Sequence, residues 1–147
     1  MPDPSSALTL TAALRAYVDA RDAAMVAARR SLSISETDAK ALLFVAGNPG
    51  TRATALRDYL GITGAGVTTL IDRLVSRGVL RREVDAVDRR VNRITVSIDV
   101  AAEPWSELRR FDDDFELATV EADRALTDEL AVLLASITTA AVNARGL

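Results

Sequence analysis

The chain has 147 residues, enough for one domain of ordinary size, and its 49% hydrophobic and 27% charged residues are the balance of a folded, soluble protein. It contains neither cysteine nor histidine, which excludes disulfides, thiolate metal sites, thiol redox sensing and catalysis by a histidine base. No stretch approaches the roughly 18 consecutive apolar residues of a membrane span. Because residues 1–30 also carry charges throughout, we expect a cytoplasmic protein with no membrane segment, no secretory signal and no cofactor.

The charges are unevenly distributed along the chain. Although the net charge is −3, the span from Arg73 to Arg93 holds seven arginines and three acidic residues, a local charge of +4. Residues 99–129 hold eleven acidic residues and three arginines, a local charge of −8. Such segregation indicates that the two segments face different surroundings.

The first part of the chain predicts two helices after a disordered tail. Residues 1–7 are rich in proline and serine and are expected to be disordered. A helical pattern then runs to about Ala28. Its apolar stripe is formed by Leu10, Leu14, Tyr17, Val18 and Met25. The second helix is predicted to start at an N-cap, Ser35, with Asp38 three residues later, and to stop at Gly47-Asn48-Pro49-Gly50.

The next two predicted helices are joined by a tight turn. The first ends at Gly61, which supplies a left-handed residue, and Ile62 fills the turn. Thr63 is a suitable N-cap for the second helix. The apolar residues of the second helix, at helical spacing, are Val67, Leu70, Ile71 and Leu74. Two helices joined by three or four residues that include glycine are typical of a helix-turn-helix.

A β-hairpin is predicted directly after these helices. Residues 79–84 suit a strand, and residues 92–98 alternate apolar and polar side chains. Between the strands, residues 85–90 form a charged loop. A helix-turn-helix followed by a hairpin is a winged helix.

The C-terminal part predicts two more helices. One is expected to start at Pro104, with an apolar stripe that includes Trp105 and Phe111, and the last is capped near Thr127 and runs toward Gly146. The predicted fold is therefore mainly α with a small β-hairpin wing, a winged helix-turn-helix flanked by N- and C-terminal dimerisation helices.

The start of the second helix of the helix-turn-helix suits entry into the major groove of double-stranded DNA. Small side chains there let the helix approach the bases, and hydroxyl and guanidinium groups can bind base edges or phosphates. The predicted contact residues are Thr63, Gly64, Ala65, Gly66, Thr68, Thr69, Arg73 and Arg77. The alternative is that the small residues only allow close helix packing.

The wing tip is predicted to enter the minor groove. Arg89 and Arg90 carry the planar guanidinium that a narrow, negative minor groove attracts, and Asp88 is expected to set their pose. Asp72 is predicted to orient the wing by pairing with Arg90. The alternative is a solvated hairpin with incidental ion pairs.

The stretch from Thr54 to Ser97 resembles the MarR family of bacterial transcription regulators. The resemblance is carried by the Leu60-Gly61-Ile62 turn, by Asp72-Arg73-Leu74 and by Asp88-Arg89-Arg90 in the wing. The order of elements fits nearly the whole chain.

The resemblance implies a homodimer that binds a pseudo-palindromic operator. Residues 8–147 would form one MarR-like domain, with residues 8–32 and 101–147 as interlocking dimerisation helices and residues 35–98 as the DNA-binding region. Arg90 would be the foremost minor-groove residue. Members of the family commonly repress transcription and release DNA when a small aromatic or phenolic ligand binds between the dimer helices and the winged domain.

The sequence also supports a dimer without the resemblance. Two terminal apolar stripes lie outside a winged domain that is too small to cover both. They are Leu10, Leu14 and Tyr17 at one end and Leu130, Leu133, Leu134 and Ile137 at the other. The stripes could pack together in a monomeric bundle, but pairing in a two-fold dimer buries more surface.

Two other functions are compatible with parts of the sequence. Asp112-Asp113-Asp114 with Glu116 could bind Mg²⁺ or Mn²⁺, as in an enzyme or a metal-responsive regulator, but consecutive helical residues point in different directions, which favours a solvated acidic face. The chain could also be a winged protein–protein interaction module without DNA binding, against which the basic wing argues. We therefore predict a repressor without enzymatic activity.

Overall fold

The computed structural model describes residues 9–88 and 92–145. The chain divides into two compact units, Met1–Arg109 and Arg110–Leu147. The elements of the first unit are α1 (Leu10–Leu32), α2 (Glu36–Gly47), β1 (Thr51–Arg52), α3 (Ala53–Leu60), α4 (Gly64–Ser76), β2 (Leu80–Val84), β3 (Asn92–Val96) and a short 3-10 helix (Trp105–Leu108). The second unit is a pair of helices, α5 (Arg110–Glu121) and α6 (Arg124–Asn143). The predicted tail at residues 1–7 and the wing residues Arg89 and Arg90 lie outside the described residues.

The corner between α1 and α2 is built by two helix caps. α1 ends at Ser33, which adopts the left-handed conformation with φ of 53°. α2 starts with the predicted capping box, in which the N–H of Asp38 donates to Ser35 Oγ at 3.0 Å and the N–H of Ser35 donates to Asp38 Oδ2 at 3.4 Å. The predicted start of α2 is thus confirmed.

The helix-turn-helix is formed by α3 and α4. Gly61 ends α3 with φ of 63°, a left-handed conformation that is energetically unfavourable for any residue with a Cβ. Thr63 caps α4, and its Oγ1 accepts the N–H of Gly66 at 3.1 Å. Both features agree with the sequence prediction.

The wing belongs to a three-stranded antiparallel sheet with the order β1-β3-β2. In the hairpin, Leu80 faces Val96 and Val84 faces Asn92. On the other side of β3, Thr51 of β1 faces Ile94. β1 was not predicted, because two residues are too few to show an alternating pattern.

The core lies in the first unit, between α2, α3, α4 and the root of the wing. Its most deeply buried side chains are Leu42, Val45, Leu56, Ile71, Leu74, Val79, Leu80 and Ile94. The predicted buried face of α4 is confirmed. In the second unit, neither α5 nor α6 buries a residue within the described chain.

Two helix boundaries near the C-terminus differ from the prediction. Pro104 does not begin a long helix, because Trp105 and Leu108 lie in the 3-10 helix and pack against the core of the first unit. α6 is capped by Asp123 rather than near Thr127. The Oδ1 of Asp123 accepts two backbone N–H groups, from Ala125 at 2.9 Å and from Leu126 at 3.1 Å, so the helix starts earlier.

Candidate nucleic-acid interface

The outer face of α4 is open and made of small side chains. Successive residues of a helix are about 100° apart, so the face opposite the buried side carries Ala65, Thr68 and Thr69. All three are exposed, and so is Gly64 at the start of the helix. A side chain added at Gly64 would meet no other atom within 4 Å. A flat surface close to the helix backbone is therefore available to a partner.

Gly66 has a different role from Gly64. It is half-buried, and a Cβ at this position would lie 3.2 Å from Thr63 Oγ1, the atom that accepts its N–H. The small size of Gly66 therefore allows the N-cap to form. Of the predicted contact residues at this end, Thr63 and Gly66 shape the turn, whereas Gly64 and Ala65 offer exposed surface.

Thr68 and Thr69 place their hydroxyls along α4. Thr68 Oγ1 donates to the carbonyl of Gly64 at 2.9 Å, and Thr69 Oγ1 donates to the carbonyl of Ala65 at 3.0 Å. A hydroxyl has one hydrogen to donate and two lone pairs to accept with. Both oxygens can therefore still accept a hydrogen bond from outside the protein, such as one from a base amino group.

Arg73 and Arg77 turn from the outer face toward the corner between α1 and α2. The guanidinium of Arg73 forms an ion pair and hydrogen bond with Asp38, whose side chain is only 4% exposed. Arg77 donates to the carbonyls of Ser33 at 2.9 Å and Leu32 at 3.2 Å. Both arginines thus have partners within the protein that the helical spacing did not predict.

Two arginines of β2 are also paired. Arg82 donates to Asp72 Oδ1 at 2.5 Å, which links the wing to α4. Arg81 donates to Glu83 Oε1 at 2.6 Å. Asp72 does contact the wing as predicted, but its partner among the described residues is Arg82, and the predicted partner Arg90 lies outside them.

Asp85 organises the first half of the wing loop. Its Oδ1 accepts the N–H groups of Val87 at 2.8 Å and Asp88 at 3.1 Å, and its Oδ2 accepts Arg93 Nε–H at 2.5 Å. These backbone hydrogen bonds, together with the contact to Arg93, lower the pKa of Asp85 from 3.8 to about 2. Asp88 was the predicted site residue and Asp85 was not predicted, although aspartate at the start of a turn commonly binds the backbone two residues on.

The basic segment is therefore largely neutralised by the protein itself. Five of its seven arginines lie in the described chain, and every one of the five donates to an acidic side chain or a carbonyl. They are Arg73, Arg77, Arg81, Arg82 and Arg93. Two of the acidic partners, Asp38 and Asp72, come from outside the segment.

A sequence profile of the MarR family matches residues 32–91, which extend from the end of α1 through the helix-turn-helix into the wing. Over these residues the winged helix-turn-helix matches the MarR family. The sequence resemblance and the predicted fold class are both confirmed. No curated protein matches the sequence.

Solved structures of MarR-family proteins share this fold at low sequence identity. Wild-type MarR from E. coli, in its apo form, matches with a TM-score of 0.57 and 17% identity over 90% of this chain and 98% of that chain. S. aureus MepR bound to ethidium bromide matches with a TM-score of 0.67 and 16% identity over 90% and 96%. A mutant of MepR bound to an oligodeoxyribonucleotide matches with a TM-score of 0.60 and 17% identity over 90% and 97%.

Both terminal helices of the chain expose apolar side chains. The predicted dimerisation residues Leu14, Leu130, Leu133 and Ile137 are 39–50% exposed, and Leu10, Tyr17 and Leu134 are half-buried. By length and composition alone, α6 is also long and apolar enough to cross a membrane, and none of its apolar stretch is buried. Exposed apolar side chains on each of these helices are typical of a surface that packs against another molecule.

A cavity of about 580 Å³ lies between α1, α2 and α3 of the first unit. Met25 and Leu43 form part of its apolar wall, and Tyr59 adds an aromatic face, stacked on Phe44 with ring centroids 4.3 Å apart. The Nε of Arg29 is buried at this cavity and has no hydrogen-bond partner in the part of the chain that the structure describes.

One of the acidic residues that line this cavity, Glu36, is paired within the protein. Glu36 Oε1 lies 2.7 Å from Lys40 Nζ, and its other oxygen lies 3.5 Å from Arg29 Nη1. The hydrogen bond to Lys40 lowers the pKa of Glu36 and raises that of Lys40. Over residues 9–88 and 92–145, no group of three or more acidic side chains is placed to hold a metal ion.

Proposed function

We propose that the protein is a sequence-specific transcriptional repressor that binds a pseudo-palindromic operator as a homodimer. The observation that carries the proposal is the open outer face of α4, where Gly64, Ala65, Thr68 and Thr69 are exposed beside the wing. A related MepR structure contains an oligodeoxyribonucleotide, which supports the same partner for this fold. The protein would act in the cytoplasm without enzymatic activity, and its wing-tip residues Asp88, Arg89 and Arg90 would contact the minor groove.

The first experiment measures binding to the DNA upstream of the protein's own gene. Gel retardation and footprinting should show two protected half-sites about 10 base pairs apart, or a multiple of this spacing, because the recognition helices of a dimer enter successive major grooves. The affinity should fall steeply as salt rises, since each neutralised phosphate releases counterions. No retardation at low salt would favour the protein–protein interaction module instead.

A substitution at Gly64 tests the recognition face directly. Gly64→Leu should leave the fold intact, because nothing lies within 4 Å of the added Cβ, yet it should weaken operator binding by about tenfold or more by holding α4 away from the bases. Gly47→Leu is the matched control, since Gly47 is also exposed and unobstructed but lies at the end of α2. Equal affinity of the Gly64 variant and the wild type would remove this face from the interface.

We propose further that the cavity between α1, α2 and α3 is the site of a small aromatic or phenolic effector. The Arg29 side chain is 19% exposed at the cavity wall, so its guanidinium can bind an oxygen of the ligand, and Tyr59 can stack on an aromatic ring. Calorimetry with benzoate and phenol should detect binding that Arg29→Gln weakens by about tenfold. Binding unchanged by Arg29→Gln would place the effector elsewhere.

A further inference from the structure

Arg73 and Arg77 lie one helical turn apart on a single flank of α4. At about 100° per residue, they occupy the edge between the buried face and the outer face that carries Thr69. Asp72 lies about 100° round the helix from Arg73, on the outer face between Thr68 and Thr69, and binds Arg82 of the wing at 2.5 Å. α4 is thus held at two places, by the wing at its outer face and by the α1–α2 corner at its edge.

Asp38 is the anchor on the corner side. Its side chain is 4% exposed, one carboxylate oxygen accepts the N–H of Ser35, and the other accepts Arg73. The same carboxylate therefore caps α2 and binds α4. A buried carboxylate that loses its cationic partner is costly, because its charge is then uncompensated.

Arg77 extends the contact to the end of α1. The last carbonyls of a helix have no partner inside the helix and carry the negative end of its dipole. Arg77 satisfies two of these groups at once, the carbonyls of Leu32 and Ser33, with two nitrogens of one guanidinium. A rigid fork between two helices fixes their relative position better than a single contact does.

We propose that Asp38, Arg73 and Arg77 form a clamp that sets the angle of the recognition helix against α1, and that the two arginines position α4 rather than contact DNA. This inference rests on the proposed operator binding. A shift in the last turn of α1 would be passed to α4 through Arg77 directly. The clamp therefore provides a route by which a change at α1 alters operator affinity.

The decisive comparison is between Arg73→Gln and Asp38→Asn. If Arg73 positions α4, each variant should lower operator affinity by about tenfold, which is the usual size of a coupling between two parts of a protein. The double variant should bind no more weakly than either single variant, because both substitutions break the same contact. If Arg73 instead binds a phosphate, Asp38→Asn should leave affinity unchanged or raise it, because it removes a negative charge. That outcome would overturn the proposal.

The salt dependence separates positioning from contact a second time. Loss of one phosphate contact should reduce the slope of log affinity against log salt by about 0.9. We expect the slope to stay at the wild-type value in Arg73→Gln and Arg77→Gln and to fall in Arg90→Gln, the positive control at the wing tip. A reduced slope in the Arg73 or Arg77 variant would contradict the clamp.

A measurement without DNA keeps the clamp testable if the operator proposal fails. In urea unfolding of the full chain, each single variant should lower the folding equilibrium constant by a measurable factor. The factor for the double variant Arg73→Gln/Asp38→Asn should be at least about tenfold smaller than the product of the two single factors. Additive losses would show that the pair is not coupled. No DNA binding by the wild type together with strong coupling would reject the operator while retaining the clamp.

Discussion

The carboxylate of Asp85 holds the first half of the wing loop in place. It accepts hydrogen bonds from two backbone N–H groups and from Arg93, which in turn donates to the carbonyl of Gly50 at 3.1 Å. The wing loop is thereby tied to the turn before β1. Removal of this one side chain would release both connections.

The low pKa of Asp85 gives a prediction with a defined sign. Because the folded pKa, about 2, lies below the ordinary value of 3.8, ionised Asp85 stabilises the wing above about pH 4, and this contribution is lost as the pH falls toward 2. In NMR, the amide shifts of Val87 and Asp88 should titrate together with a midpoint near 2. Asp85→Asn should abolish this titration, and a midpoint near 4 would contradict the hydrogen bonds.

Among single residues, the partners of the arginines were the feature that the sequence predicted least well. Residue type and spacing placed both arginines on α4, and in the structure Arg73 lies in the helix and Arg77 caps its C-terminal end. Their partners, however, are 35 to 45 residues away along the chain. A helical pattern fixes the face from which a side chain starts, but a long flexible side chain reaches whatever partner the tertiary fold brings near.

At the scale of elements, local sequence signals were sufficient to predict several helix ends. The capping box of α2, the Gly61 turn and the start of α4 at Thr63 all follow from hydrogen bonds within four residues, and all three were predicted correctly. The start of α6 was misplaced although its cap, Asp123, is local, whereas two other errors depend on distant contacts. The two-residue β1 exists because β3 pairs with it, and the segment after Pro104 follows the packing of Trp105 and Leu108 on the core.

The Gly61 turn offers a quantitative test of this local control. Gly61→Ala should destabilise the protein by about 1 kcal/mol, because φ of 63° is unfavourable for a residue with a Cβ even where space is open. Gly47→Ala, in the ordinary helical backbone of α2, should instead have a neutral or stabilising effect. Thermal unfolding of the two variants measures the difference, and equal melting temperatures would contradict it.

At the scale of the whole molecule, the basic segment contributes to the fold as well as to the proposed DNA surface. The count of seven arginines and three acidic residues suggests a surface built for DNA throughout. The five arginines that the structure describes instead hold α4, the wing and the α1–α2 corner together. A charge count could not predict this, because Asp38 and Asp72 are outside the segment that was counted. The DNA prediction for the segment now rests mainly on Arg89 and Arg90.

The proposed dimer gives the last prediction, which uses the two faces of α6. Leu133 lies on the apolar stripe with Leu130 and Ile137, whereas Val132 lies on the opposite face, and both are at least half exposed. Leu133→Glu should shift the protein toward the monomer, because a buried, unpaired charge in the interface is costly, and should reduce operator affinity in parallel. Val132→Glu adds the same charge outside the stripe and should leave both unchanged. Sedimentation equilibrium with DNA binding on the same samples measures both quantities, and a dimeric Leu133 variant would show that the stripe packs within one chain.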